Sequence, residues 1–204
     1  MHNLLLTVLM CTLAFALGGI PTSYLFAKRK HIDLREKGSG NLGATNTSRI
    51  LGFGFGVIVG VLDVLKGVLP CLVSILLFSL STGSLLFIGM ASILGHVYTP
   101  FLPTHKGGKG VATAAGVIAV LFPYAIPAGL VVFFSVALAS RYVSLASMTT
   151  YIVLIPYYLL VSSLQGGSIE LSGLLFLTIL SLLILYTHRT NVKRLLNRTD
   201  QNSA

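Results

Sequence analysis

The chain predicts an all-α polytopic membrane protein, on three observations. Hydrophobic residues make up 54% of its 204 positions and charged ones 9%, where a soluble domain carries about 25% charged residues. Its mean hydropathy is +0.89. Its apolar residues are gathered into long uncharged runs that a soluble core of this length does not need. Seven such runs predict seven transmembrane helices within one domain covering residues 1–204, with the N-terminus outside and the C-terminus cytoplasmic.

The first span, 4–27, is too long for a signal-peptide core and has its charges after it. Pro21 is expected to bend it. Lys28, Arg29 and Lys30 then hold the next loop in the cytoplasm. The second span, 51–80, and the third, 85–101, flank an uncharged outer turn, Ser81-Thr82-Gly83-Ser84. A cytoplasmic loop over 102–110 leads to a short fourth span, 111–122. Pro123 to Pro127 mark the turn into a short fifth, 128–139; both are shorter than the usual ~20 residues. After an inner turn at Arg141 come the sixth span, 144–163, and the seventh, 170–186. The basic tail from His188 to Arg198 is cytoplasmic. Every Lys and Arg except Lys66 falls on the side placed inside, which is the positive-inside pattern.

The formal net charge of +9 would also suit nucleic acid, but basic loops on an integral membrane protein account for it better, and no nucleic-acid partner is expected. Cys11 and Cys71 lie inside apolar runs and read as small buried hydrophobes. Neither a disulfide framework nor a metal-ligand cluster is visible.

Chemistry concentrates in the polar stretches that precede the second, fourth and sixth spans. Gly38-Ser39-Gly40-Asn41-Leu42-Gly43-Ala44-Thr45-Asn46-Thr47-Ser48-Arg49 carries no carboxylate. Its glycines (Gly38, Gly40, Gly43) allow a tight turn that points backbone N–H groups into a concavity. Ser39, Asn41, Thr45 and Asn46 add short donors, and Arg49 adds a permanently charged fork. Such a loop suits a phosphate; a simple connecting turn is the alternative. The spacing Gly38-x-Gly40-x-x-Gly43 also fits the dinucleotide fingerprint, but no buried strand precedes it, which excludes a Rossmann fold. The second stretch, Lys106-Gly107-Gly108-Lys109-Gly110, lacks the hydroxyl residue a P-loop needs after its lysine. Its flexible backbone and two ammonium groups still suit phosphate, or anionic lipid. Ser144 stands before the sixth span as a helix cap or a ligand contact. With the N-terminus outside, these three stretches open helices at one face, where free N–H groups and the helix dipole favour an anion.

Asp63 and Lys66 share a face of the second span. They are read either as a mutual ion pair or with Lys66 lining a polar pocket. His96 ends the third span, and His188 and Asn191, at i and i+3, follow the seventh. Each histidine is either a base or phosphate donor, or an interfacial hydrogen-bonder. His2, His31 and His105 read as solvated. No paired carboxylates, no His-x-x-x-x-Asp and no Gly-x-Ser-x-Gly elbow occur.

Taken together and in order, Gly38 to Asn46, Gly95-His96, Lys106 to Thr113, Ser144-Leu-Ala-Ser147 and His188-x-x-Asn191 resemble the bacterial acyl-phosphate:glycerol-3-phosphate acyltransferase (PlsY) family over essentially the whole chain. The resemblance implies a seven-helix enzyme of the bacterial inner membrane with its active site facing the cytoplasm. It implies transfer of a fatty acyl group from acyl phosphate to the 1-position of sn-glycerol 3-phosphate, giving lysophosphatidic acid and phosphate. It implies no metal or organic cofactor, and a soluble acyl-phosphate synthase as functional neighbour in addition to the lipid bilayer. Leu42 departs from the pattern, because proline is common there; leucine is expected to loosen the turn.

In the mechanism expected on this basis the glycerol hydroxyl attacks the acyl carbonyl directly. Ser39, Asn41 and backbone N–H groups hold the donor phosphate. Arg49 and Lys109 neutralise charge and orient glycerol 3-phosphate, and His188 and Asn191 close the site. Gly38, Gly40, Gly43, Thr45, Asn46, Lys66, His96, Lys106, Gly107, Gly108 and Ser144 complete the expected phosphate and substrate contacts. A transporter for a phosphorylated solute would also want basic loops and intramembrane charge. Charges confined to one face, bare outer turns and the lack of an inverted repeat argue against it.

Overall fold

Long runs of Leu, Val, Ile and Phe with few breakers leave the backbone one way to satisfy its polar groups away from water, the α-helix. The computed structural model describes residues 2–104, 106–166 and 168–197, and among these all regular structure is helical. His105 and Arg198 lie outside the described residues, as does the side chain of His2. The helices form two compact units, Met1–Leu121 and Phe122–Ala204.

The first unit contains α1 (His2–Gly19), α2 (Thr22–Lys28), α3 (Ala44–Leu51), α4 (Phe53–Phe78), α5 (Thr82–Tyr98) and α6 (Val111–Leu121). α1 packs along α5, and α4 packs on α3 and α6. Small residues set the α4–α6 approach: a Cβ at Gly67 would lie 2.1 Å from the Thr113 carbonyl oxygen, and one at Gly116 equally close to that of Val64. Met10, Ala14, Leu80, Leu85 and Ile88 form one apolar cluster. Ala27, Leu34, Leu42 and Leu102 form another, beneath the first glycine-rich loop.

Several boundaries differ from the sequence expectation, each for a local reason. The first run breaks at Ile20–Pro21, where proline brings no N–H; the Thr22 N–H turns back to the Ile20 carbonyl at 2.9 Å. Before the second run, helix already begins at Ala44, so the second half of the expected loop is α3. Gly52, at a φ of 99°, separates it from α4. α5 starts three residues early because the Ser81 hydroxyl caps it, accepting from the Ser84 N–H. It ends early at Thr99, whose φ of 28° leaves the helical region. Leu42 does not loosen its turn: its side chain is 4% exposed and packs with Leu34. Burying a leucine stabilises by roughly 1.5–3 kcal/mol.

The second unit contains α7 (Ala125–Ser140), α8 (Val143–Leu164), α9 (Leu171–Thr187) and α10 (Arg189–Leu196). α8 packs against both α7 and α9. Phe122 stacks on Phe176 and meets Tyr158 edge-on, with centroids 6.0 and 5.8 Å away. α7 starts at Ala125 rather than 128 because Pro127 falls in the first turn, where its missing N–H is no loss. α9 and α10 meet at a 58° bend, so the basic tail begins as a helix.

Asn3–Lys28, Phe53–Phe78 and Val143–Leu164 are long and apolar enough to cross a membrane; the bent α9–α10 pair makes a fourth if taken as one span. α5, α6 and α7 are apolar but shorter. Outward-facing leucines are the rule: Leu4, Leu76 and Leu138 are 66%, 73% and 78% exposed. Surfaces of that kind need an apolar solvent rather than water.

Candidate active site

Asn46 shapes the first glycine-rich loop. It sits in the first turn of α3, 1% exposed. Its Oδ1 accepts from the Ser39 N–H at 2.9 Å, and its Nδ2 donates to the carbonyls of Leu34 (3.3 Å) and Lys37 (3.1 Å). Both amide hydrogens are thus committed to the loop. The chain climbs over this side chain with positive φ at Gly38 and Gly40. Thr47, fully buried, donates its hydroxyl to the Gly43 carbonyl at the same turn. Ser39 and Asn41 are half-buried at the rim, and Thr45 and Arg49 are exposed on α3.

On the preceding segment, Asp33 accepts from the Arg35 backbone and guanidinium. Arg35 also lies 5.3 Å from the Tyr24 ring centroid. The hydrogen bonds from Arg35 pull the Asp33 carboxyl down to about 2 from its ordinary 3.8. A lowered carboxyl pKa means that the contact is fully present above pH 3.8 and is lost as pH falls through about 2. An NMR titration of Asp33 should therefore show its midpoint near the lower value, rising part of the way back in Arg35→Gln, which removes the guanidinium but keeps the backbone N–H bond.

The second glycine-rich loop folds back onto the end of α5. Gly107 donates its N–H to the Val97 carbonyl (2.9 Å) and Gly108 to the His96 carbonyl (3.1 Å). Gly108 also faces the His96 ring: a Cβ there would stand 2.1 Å from Nε2 and 2.9 Å from the carbonyl oxygen of Leu42. The two glycine-rich loops therefore meet where Gly108 faces the Leu42 carbonyl, beside the His96 imidazole. Lys106 is exposed and Lys109 half-buried on this loop.

Beneath His96 lies a buried charged cluster. Lys66 and Asp63 form the ion pair that their spacing allowed, at 2.6 Å. The Lys66 ammonium also donates to the Ile20 carbonyl (2.7 Å) and the Thr22 hydroxyl (3.1 Å), so each of its hydrogens has an oxygen. Thr22 donates to Asp63 Oδ1 at 2.9 Å, and His96 Nδ1 lies 3.7 Å from the same oxygen. Ser92 donates to the Lys66 carbonyl and Thr99 to that of Gly19. Thr22, Lys66, His96, Thr99, Leu42, Gly107 and Gly108 line a pocket of about 10 Å³, the space of a single water. Lys66 is thus both the paired charge and part of a polar lining. Thr22, Ser92 and Thr99 were not picked out from sequence. A hydroxyl next to Pro21 and another before Pro100 are the signals that could have found Thr22 and Thr99; Ser92, inside an apolar run, carries none.

In the second unit, Ser144 opens α8, 8% exposed, and its hydroxyl has no hydrogen-bond partner among the described residues. The same holds for Thr113, fully buried on α6 of the first unit. A buried hydroxyl without a partner calls for a ligand or water. His188 is the hinge between α9 and α10, 2% exposed, with Nδ1 2.8 Å from the Ile184 carbonyl. Asn191 is buried one turn on. Arg189 donates to the Tyr186 carbonyl and covers that ring at 4.4 Å. No group of three or more His, Cys, Asp or Glu suited to a metal occurs among the described residues.

These features define an integral membrane protein built of apolar helices, with paired glycine-rich, cation-bearing loops of the kind that hold phosphate groups. A family profile described as "Glycerol-3-phosphate acyltransferase" matches residues 8–198, and the chain belongs to that family. It is 42% identical to the glycerol-3-phosphate acyltransferase of Aquifex aeolicus, covering 90% of this chain and 92% of the other. With that of Bacillus cytotoxicus the identity is 41%, over 96% and 94%. A crystal structure of PlsY (YgiH), an integral membrane glycerol 3-phosphate acyltransferase in its glycerol 3-phosphate form, superposes with a TM-score of 0.86 at 39% identity, covering 95% of this chain and 93% of that one. Its lysophosphatidic acid form gives 0.83 at 38%.

Proposed function

We propose that this protein transfers a fatty acyl group from acyl phosphate to the 1-position of sn-glycerol 3-phosphate, releasing lysophosphatidic acid and inorganic phosphate. The observation that carries the reading is the seat of the Lys106–Gly110 loop against His96 and Leu42, which joins both glycine-rich loops in one phosphate-suited surface. Both substrates bear phosphate, so the site needs backbone N–H groups and fixed cations more than a nucleophile. Acyl phosphate is already an activated mixed anhydride. Positioning and charge neutralisation therefore supply most of the rate.

The glycerol hydroxyl attacks the acyl carbonyl carbon; the new ester forms as the bond from that carbon to the phosphate oxygen breaks, and the hydroxyl proton passes to the departing phosphate. Ser39, Asn41 and the N–H groups of Gly38 and Gly43 hold the donor phosphate, with Thr45 at the rim; Asn46 shapes the loop, and so does Gly40, whose own N–H is given to the Lys37 carbonyl. Arg49 and Lys109 neutralise charge and orient glycerol 3-phosphate, helped by Lys106, while Gly107 and Gly108 give their N–H groups to the end of α5 and seat the loop rather than touch substrate. Lys66 and His96 lie beneath. Ser144, His188 and Asn191 are assigned to the same chemistry, and residues 1–204 are read as a single acyltransferase domain. The continuous family match over residues 8–198 supports treating them together. In this reading seven helices cross the bacterial inner membrane, with the N-terminus outside and the site at the cytoplasmic face, within reach of a soluble acyl-phosphate synthase. The one-sided distribution of Lys and Arg supports that orientation.

The test is direct. Purified protein in detergent, given acyl phosphate and glycerol 3-phosphate, should yield lysophosphatidic acid; a transporter or scaffold yields none. Replacing acyl phosphate by acyl-CoA should abolish the product, and equal turnover with acyl-CoA would sink the donor assignment. Lys109→Ala and Asn41→Ala should each lower kcat/KM by about a hundredfold or more, the size of losing one charged or oriented contact to the transition state. Near-normal turnover in both would end their assignment.

A further inference from the structure

We infer that Asp63 and Lys66 are positioning residues for the phosphate loops, acting through Thr22, His96 and the carbonyl of Ile20. The inference rests on the proposed function and adds to it a structural origin for the loop geometry. An ion pair buried within an apolar helix costs desolvation, and a stabilising role alone is a weak reason to keep one. Here the pair does more than neutralise itself. Its ammonium bridges α4 to the break between α1 and α2, holding the carbonyl that Pro21 leaves outside the regular helix. Its carboxylate takes the Thr22 hydroxyl and stands 3.7 Å from His96 Nδ1.

His96 is where this cluster meets the chemistry. Its ring has the carboxylate on the Nδ1 side and Gly108 packed against Nε2, while its carbonyl receives the Gly108 N–H. The imidazole therefore cannot tilt without pushing Gly108, and Gly108 cannot move without disturbing Leu42 of the other loop. A charge pair deep in the unit is in this way coupled by four contacts to the two loops that carry Lys106, Lys109, Asn41 and Arg49. Neither Asp63 nor Lys66 has a donor directed at a substrate, so the expected consequence reaches binding and turnover only through the loops that hold and orient it.

Two double variants test this. Asp63→Asn with Lys66→Met removes both charges while keeping volume, and leaves no unpaired ion. Asp63→Lys with Lys66→Asp restores a pair but moves the carboxylate away from His96 and the ammonium away from Ile20. Each is purified in detergent, its melting temperature measured, and KM for glycerol 3-phosphate separated from kcat. The expected result in both variants is a KM raised about tenfold or more together with a lowered kcat, while cooperative melting is retained, as displaced groups that orient substrate require. A swapped pair that recovers the wild-type KM would reduce the cluster to a plain ion pair and overturn the inference, as would a neutral variant with unchanged KM. A variant that loses helical content or fails to melt cooperatively also overturns it, since the pair would then serve the fold. Wild-type protein that makes no lysophosphatidic acid removes the proposed function and the inference with it. Wild-type activity beside an unchanged variant removes the inference alone.

Discussion

Gly107→Ala should abolish acyl transfer, with a loss of about a hundredfold or more, while leaving the helices in place. The added Cβ would stand 2.0 Å from the His96 carbonyl oxygen and 3.0 Å from that of Val97. Both are backbone atoms at the end of α5, so no side-chain rotation relieves the contact. The loop itself must lift by more than 1 Å, which breaks the Gly107 N–H bond to Val97 and the Gly108 N–H bond to His96. A misplacement of ~1 Å costs on the order of a hundredfold in rate when the displaced groups orient substrate. Gly107 does not have a left-handed φ, so the effect comes from contact and not from conformational strain. The check is kcat/KM for glycerol 3-phosphate together with circular dichroism. Gly83→Ala, at an open position with nothing within 4 Å, is the control and should keep full activity. If Gly107→Ala turns over normally, the seat of the loop on α5 is not what positions it.

Much of this architecture was legible in the sequence, because apolar runs have few alternatives in a membrane. The helices followed those runs closely, and the errors fell where a single polar atom decides an end. The Ser81 cap, the Gly52 break and the tolerance for Pro127 in a first turn are each local events that run length does not encode. The candidate site was legible in outline, since glycine, lysine and asparagine in short stretches have few other uses between membrane helices. What periodicity could not give was the traffic between distant residues. Thr22 reaches Asp63 across 41 positions, and Thr99 reaches Gly19 across 80. Such bonds depend on where the chain breaks, and the break at Pro21 was foreseen only as a bend. Leu42 shows the same limit: as a local turn residue it departs from proline, but its side chain is an anchor in a cluster assembled from three other segments.

The second large effect is expected at Asn46. Asn46→Ala removes three hydrogen bonds at once and leaves the Ser39 N–H and the carbonyls of Leu34 and Lys37 without their partner. Each buried group left unsatisfied costs about 1–3 kcal/mol, unless the segment opens to solvent. Opening is the easier course, since Lys37 and Gly38 already lie at the surface. The loop should therefore open while α3 and α4 persist, and trypsin should cleave after Lys37 much faster than in wild type. Acyl transfer should fall by about a hundredfold, because Ser39 and Asn41 lose the frame that holds them. Asn46→Asp separates the two halves of the amide. It keeps an acceptor for Ser39 but turns a carboxylate oxygen toward two carbonyls, replacing attraction by repulsion in a buried place. It should open the loop at least as far as alanine does. Were the aspartate variant to resist trypsin and remain active, the two carbonyl contacts would be incidental, and the Ser39 N–H alone would define the turn.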